Sequence, residues 1–385
     1  MGGFKLGRTR WAVLALAMVL ALCVFAIAGC SSNTASSGAA SGSTSASASA
    51  SAASEAATYV VTDGAGREVE IPTRANLERM YSTSPIGQMF IVTLDPSLLA
   101  GTNSDYSEAE LKYMPGDIGS LPNYGTWANN GTLDIEALMA NDIQVILSVS
   151  STNISESDIS AADDLQEQTG IPVLLFDGAV DNMPDTYRAI GEVLEMPDRA
   201  EELAAYCEKA LKDVTDAVAK VPESERVTVY YAEGPKGLKT EPENSPHFAT
   251  FKVGGAKNVA DCELTKGAGM TEVSLENVIT WNPQVIIAWS SEYRGGSDEL
   301  IRADSDWASI DAVQNGKVYT IPCLPYTWGD RPPSVTRYIG MQWMANLLYP
   351  DYYDVDMVEV TKEYYKLFFS ADLTDQEAKD ILFIS

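Results

Sequence analysis

Apolar residues in this chain follow two rhythms that take turns from about Thr58 onward. Tyr59-Val60-Val61-Thr62 and Glu68–Ile71 flank Asp63-Gly64-Ala65-Gly66 and predict a β-hairpin. Short apolar runs at Arg79–Ser84, Gln144–Val149, Ile171–Phe176, Val227–Tyr231 and Val318–Ile321 have the length of buried strands. Between and after them come helical patterns at Gly87–Leu94, Ala161–Thr169, Phe248–Val253, Ser334–Leu348, Tyr353–Phe369 and Thr374–Leu382. Strands that alternate with helices predict an α/β fold with mainly parallel sheets. The longest helical pattern covers Asp185–Val221. Pro197-Asp198 interrupts it, and Asp198 reads as an N-cap. Beyond that point Ala200, Leu203, Cys207, Ala210, Leu211, Val214, Val218 and Val221 recur at helical spacing, and Pro222 ends the run.

One stretch of the pattern occurs twice. Thr132–Ser151, TLDIEALMANDIQVILSVSS, lies over Glu272–Ser291, EVSLENVITWNPQVIIAWSS, without a gap and 140 positions apart. Glu136 falls on Glu276, Gln144 on Gln284, Val145-Ile146 on Val285-Ile286, and Ser150-Ser151 on Ser290-Ser291. Each copy is a short amphipathic helix that carries the glutamate, then an apolar strand that ends in small polar residues. A repeat at this spacing predicts two similar lobes with one glutamate at the same place on each. The long helix between the copies then becomes a spine that joins the lobes, with the ligand cleft between them.

The ends add a compartment. Lys5, Arg8 and Arg10 precede the apolar run Trp11–Ala28, which closes in Ile27-Ala28-Gly29-Cys30. This resembles the lipobox of bacterial lipoproteins and implies that Cys30 is diacylated and anchors the chain to the outer face of the cell membrane. A plain transmembrane anchor is the alternative, and it leaves the body outside as well. Ser31–Ala57 is almost all Ser, Ala, Gly and Thr, too polar and small to order itself. As a flexible tether it spans on the order of 30 Å. The expected organisation is a signal peptide over 1–29, a lipidated tether over 30–57, an N-terminal lobe over 58–184, a spine over 185–222, and a C-terminal lobe with C-terminal helices over 223–385. The net charge is −28, and loss of the leader's three cations takes it to −31. Such a surface repels nucleic acid and anionic lipid. Cys207, Cys262 and Cys323 remain in the body, an odd number and so no disulfide framework. Cys262 and Cys323 read either as a bridge or as two thiols.

Enzyme signatures are missing. There is one histidine, His247, no Gly-x-Ser-x-Gly elbow, no Gly-Lys-Ser/Thr phosphate loop and no His-Glu-x-x-His. A zinc site of the His/Cys kind cannot be assembled. No catalytic residue, cofactor or resident metal is therefore expected.

The lipobox, the tether, the paired Glu-helix/strand units, the spine and Gly254-Gly255-Ala256-Lys257-Asn258-Val259 are together similar to the substrate-binding lipoproteins of ABC importers. So are Trp328-Gly329-Asp330-Arg331-Pro332-Pro333-Ser334 and Gln342–Pro350. The subclass resembled takes up iron–siderophore, haem and cobalamin. The resemblance runs from about Arg79 to Pro350. It implies that Glu136 and Glu276 dock onto an ABC permease, itself coupled to an ATPase, and that the ligand is a small metal chelate. Siderophore–iron is the first expectation, haem the second and cobalamin the third. A surface hydrolase and a sensor or adhesion lipoprotein are the alternatives of other classes. The ligand should lie at the C-terminal strand ends, where the lobes face each other. Loops there offer the aromatics Tyr124, Trp127, Tyr293, Tyr326 and Trp328 and the cations Lys236, Lys239, Arg294 and Arg331. Flat aromatics cover a macrocycle or catecholate, and arginine pairs with anionic oxygens in a bidentate fashion. Trp328 and Arg331, held in the family-like motif, are the leading ligand residues. His247 near a helix start is a candidate ligand to haem iron, or a hydrogen-bonded cap.

Overall fold

A computed structural model describes residues 57–127, 131–265 and 269–384. The leader, Cys30 and nearly all of the tether lie outside the described residues. Among those described, no helix is long and apolar enough to cross a membrane. The predicted hairpin is present as β1 (Thr58–Thr62) paired antiparallel with β2 (Glu68–Pro72). Asp63 ties its turn: the carboxylate accepts from the amides of Ala65 at 3.0 Å, Arg67 at 2.9 Å and Leu175 at 3.0 Å. The last of these fastens the hairpin to the first lobe.

That lobe holds a parallel sheet of β3 (Met80–Ser82), β4 (Val145–Ser150) and β5 (Val173–Asp177), in that order. The second lobe runs through β6 (Thr228–Ala232), β7 (Lys239–Thr240), β8 (Lys257–Asn258), β9 (Thr271–Glu272), β10 (Val285–Ala288) and β11 (Val318–Thr320). Its main sheet is parallel with order β11-β10-β6-β8, and β7 and β9 form a short antiparallel ladder. Without β8, the two sheets have one plan, with the strand of the sequence repeat, β4 or β10, in the middle.

The repeated residues do repeated jobs. Gln144 Oε1 accepts from the amides of Glu78 at 2.7 Å and Arg79 at 3.0 Å, which holds the chain entering β3 beside β4. Gln284 Oε1 accepts from the Thr228 amide at 2.9 Å and does the same for β6 and β10. Glu136 and Glu276 each occupy the second position of a short helix, Ile135–Ala140 and Leu275–Trp281, and both are exposed. An acidic side chain in a first helical turn faces unpaired amides and is favoured there. Leu138 and Val278, two positions on, are fully buried and seal each helix to its sheet.

The spine differs from one long helix. Met183–Val193 and Pro197–Val218 are separate helices that fold back on each other, and the spine proper is the second, 22 residues or about 33 Å long. Glu195, with φ of 56°, turns the chain between them. The helices approach so closely that a Cβ on Gly191 would lie 2.1 Å from Ala200 Cβ. Met196 takes the N-cap position and Pro197 the first turn, so Asp198 is not the cap.

Strand alternation divides the core. Val145, Leu147, Val285 and Ile287 point into one large apolar core common to both lobes, together with the spine and the helix Thr336–Leu348. Ile146 and Ile286 point the other way, into a smaller cluster private to each lobe. The helices Met357–Phe369 and Asp375–Ile381, assigned on sequence to the second lobe, bridge to the first: Tyr365 packs edge-on to Tyr113 at 5.8 Å, and Lys112 pairs with Glu377 at 3.0 Å. Cys207, Cys262 and Cys323 are all free thiols, so the Cys262–Cys323 bridge is not made.

Candidate ligand site between the lobes

The strand ends of the first lobe present short uncharged polar groups. β3 runs into Ser84, the N-cap of the helix Pro85–Leu94, whose Oγ has no hydrogen-bond partner. β4 runs into Ser151, Thr152 and Asn153, all exposed. Across from these lies the second lobe, and a cavity of about 420 Å³ is walled by Ser151, Thr152, Asn153, Ala179 and Val180 on one side and by Pro246, Ala249 and Arg337 on the other. Among the described residues that line it, Arg337 is the only charged one.

Behind this wall the second lobe buries a charged cluster. Asp330 Oδ1 accepts from Arg337 Nη2 at 3.0 Å, its Oδ2 pairs with His247 Nδ1, and both oxygens belong to a side chain with no exposure. Arg337 Nη2 also reaches the carbonyl of Pro246 at 3.1 Å, while its Nε has no partner although the side chain is only 3% exposed. Arg331 is gripped by two buried carboxylates: Nε donates to Glu233 at 2.7 Å and Nη2 to Glu241 at 2.6 Å. Burial works against the charge on Arg331, but Glu233 beside it more than offsets this, and the guanidinium is held above its usual range. Burial pushes Glu233 up to about 8, against the pull of Arg331. Glu233 is therefore mostly protonated at neutral pH. Glu241 is fixed further by Ser245 Oγ at 2.6 Å and the Met270 amide at 2.7 Å.

These contacts correct several sequence expectations. Trp328 is fully buried, and the helix Thr336–Leu348 lies so close that a Cβ on Gly340 would sit 1.9 Å from its carbonyl oxygen. It is a core residue and cannot stack on a ligand in the cleft. Tyr326 is buried too; its hydroxyl meets Tyr106 at 2.8 Å and Gln88 at 3.3 Å, which pins one lobe to the other. Tyr124 is buried edge-on to Tyr81 in the private cluster of the first lobe. Trp127 is half-buried, with its indole N–H on the carbonyl of Ala161 at 3.2 Å. Tyr293 is exposed and leans on Phe383. Arg331 does not offer an open fork, because Glu233 and Glu241 hold it. Arg294 lies 5.7 Å from the ring centre of Trp289 and donates to the Arg331 carbonyl at 3.3 Å. Lys236 and Lys239 line another cavity, of about 380 Å³, with Glu233 and Glu272. His247 pairs with a carboxylate, which favours the hydrogen-bonded reading over an iron ligand. Among the described residues no group of three or more His, Cys, Asp or Glu is arranged to hold a metal ion. Glu233, Glu241, Asp330 and Arg337 are not among the ligand residues expected from the sequence, although Asp330 stands in the family-like motif, because the pairings of Glu233 and Glu241 with Arg331 and of Asp330 with His247 span 83 to 98 positions.

Residues 128–323 match a family model described as periplasmic binding protein. A molybdate-binding protein of Haemophilus influenzae, MolA, is 27% identical over 341 residues, covering 80% of this chain and 90% of that one. An ABC transporter solute-binding protein from Sulfurospirillum deleyianum has a solved structure that aligns with a TM-score of 0.76 at 30% identity, over 84% of this chain and 99% of that chain. The structure of MolA bound to molybdate aligns with a TM-score of 0.65 at 24% identity, over 82% and 99% of the two chains.

Proposed function

Because the chain belongs to the periplasmic binding protein family and is the solute-binding component of an ABC transporter, we propose that it captures a small, fully ionised oxyanion of the molybdate kind between its lobes. The observation that carries this reading is Arg337. It is almost wholly buried and lines an inter-lobe cavity whose opposite wall carries Ser151, Thr152 and Asn153 beside Ala179 and Val180. A guanidinium in a low-dielectric wall, faced by neutral donors, is a receptor for a compact anion. A volume of about 420 Å³ lies toward the small end of ligand cavities. Three of the five aromatics that would cover a flat macrocycle, Tyr124, Tyr326 and Trp328, are core residues, which weakens haem and cobalamin. The molybdate-binding relative supports the same choice.

A ferric chelate is the second reading. Lys236 and Lys239, beside their own cavity, support it, since a multiply charged chelate larger than one cavity would meet several cations. In either case the protein acts outside the cytoplasm, Cys30 carries a lipid anchor, and Glu136 and Glu276 dock onto the permease. A lone exposed ion pair contributes only ~0.2–1 kcal/mol, which suits docking that must later release. The test is calorimetric titration of the purified protein with molybdate, tungstate, ferric catecholate, ferric hydroxamate and haemin. Tight binding of molybdate that disappears in Arg337→Ala is expected. Binding of a ferric chelate with no response to molybdate would replace the oxyanion reading with the second one.

A further inference from the structure

We infer that the glutamate on each lobe is only half of a docking patch, and that the apolar side chain one helical turn on, Met139 in the first lobe and Ile279 in the second, is the anchor that holds the permease; this rests on the reading that Glu136 and Glu276 dock there. The repeat relates the two anchors: Met139 stands 140 positions before Ile279, as Glu136 does before Glu276. Both side chains are exposed, Met139 at 50% and Ile279 at 39%, although Leu138 and Val278 next to them are at 0%. Among the described residues, neither joins the apolar cluster of its lobe, and neither walls the inter-lobe cavity. Residues three apart on a helix are neighbours on one face. Glu136 with Met139 on Ile135–Ala140, and Glu276 with Ile279 on Leu275–Trp281, therefore present the same pair: an anion beside a large apolar side chain.

A single exposed apolar residue needs no explanation. Two at matching places of a repeat do. The neighbouring pairs Ala137/Asn277 and Ala140/Thr280 each exchange an apolar for a polar side chain between the copies, whereas the pair 139/279 stays large and apolar in both. Charge alone also leaves docking short of affinity. The chain carries a net charge of −28 and approaches an anionic membrane surface against repulsion. An exposed ion pair is screened by salt and contributes little. Interfaces gain speed and orientation from charge, and affinity from apolar side chains and methionine packed within them. The thioether of Met139 is suited to this, because it moulds to an uneven surface. The partner this patch fits is a permease that shows one feature twice on its outer face: a cation beside an apolar depression, once for each lobe.

The test is the kinetics of binding of the full-chain protein to its own permease–ATPase complex in nanodiscs, at low and at high salt, with thermal unfolding followed in parallel. Met139→Gln with Ile279→Thr keeps the side-chain shapes and removes apolar surface. Affinity should fall about tenfold or more through faster dissociation, and the loss should persist at high salt. The unfolding midpoint should stay where it is, since both sites are exposed. Met139→Leu with Ile279→Leu should bind as wild type does. Glu136→Ala with Glu276→Ala should instead slow association, and its deficit should shrink as salt rises. Val60→Thr, at a hairpin residue that is 61% exposed, should change nothing. The inference is overturned if Met139→Gln with Ile279→Thr dissociates like wild type while the glutamate pair slows association; the docking reading then stands. It is overturned as well if Val60→Thr weakens docking equally, since surface apolarity in general would then be at work. If the glutamate pair is silent at every salt, or wild type does not bind the complex, the docking reading falls and the inference with it.

Discussion

The two lobes share a frame and differ in where they keep charge. Each has a repeat strand at the centre of a parallel sheet, a glutamine that clamps its neighbour, and an exposed glutamate on a short helix. At the strand ends the likeness stops. The first lobe ends in Ser84, Ser151, Thr152 and Asn153, whereas the second buries Glu233, Glu241, Asp330 and Arg337 and holds a half-buried Arg331 among them. Three carboxylates against two guanidiniums is one negative charge too many for a dry interior. The excess is relieved by Glu233, which burial keeps protonated up to about 8. A duplicated scaffold can thus keep its architecture while one half supplies neutral donors and the other the electrostatics.

The strongest way to break this contrast is Arg337→Ala. It should abolish oxyanion binding, by a hundredfold or more, and destabilise the fold by roughly 3–5 kcal/mol, since Asp330 is left buried beside a lost partner. Titration and denaturant unfolding read the two effects; removal of Ser151 or Asn153 from the first lobe should produce only the first, and weakly. Next comes Glu233→Gln. The folded carboxyl titrates near 8 and the unfolded one near 4.5, so its contribution is fully present below 4.5 and is lost as pH rises through 8. The wild type should therefore lose stability across that window. Glu233→Gln should not, and should exceed wild type by roughly 2–4 kcal/mol at pH 9. A wild-type stability that stays flat from pH 5 to 9 would contradict a buried neutral Glu233.

The frame is tested by smaller effects. Gln144→Ala should cost roughly 1–3 kcal/mol, because Gln144 accepts from two amides and donates to the Asn76 carbonyl at 2.7 Å. Gln284→Ala should cost less, about 0.5–1.5 kcal/mol, since its oxygen serves Thr228 alone. Equal losses would mean that the clamps are interchangeable. The smallest effect on stability belongs to Glu136→Ala with Glu276→Ala, under about 0.5 kcal/mol for exposed sites. Ligand affinity should be untouched while uptake into cells falls. A change in affinity would move these glutamates into the cleft.

The frame could be read in the sequence because its signals are local or repeated. Glu136/Glu276 and Gln144/Gln284 mark the lobes, and the short apolar run Gln144–Val149 marks a buried strand. The site could not. Arg331 looks like an open cation until Glu233 and Glu241, 98 and 90 positions earlier, fold onto it. Trp328 looks like a ligand platform until Gly340 lets a helix lie against it. The spine misled for a related reason: Pro197 marks the break, but nothing local says that Gly191 will admit Ala200 and fold one helix along the other. Long-range partners decide which polar groups face solvent, and spacing along the chain does not encode them.

The large apolar core common to both sheets has a consequence for how the molecule comes apart. Val145 and Leu147 on one side and Val285 and Ile287 on the other are covered by the same spine and C-terminal helices. Neither half can be peeled away without baring the inner face of the other. Melting should accordingly be all-or-none, with matching calorimetric and van't Hoff enthalpies. A chain cut at the spine should yield two insoluble fragments and no working half. The lobes repeat as architecture, yet they are a single cooperative unit in thermodynamic terms.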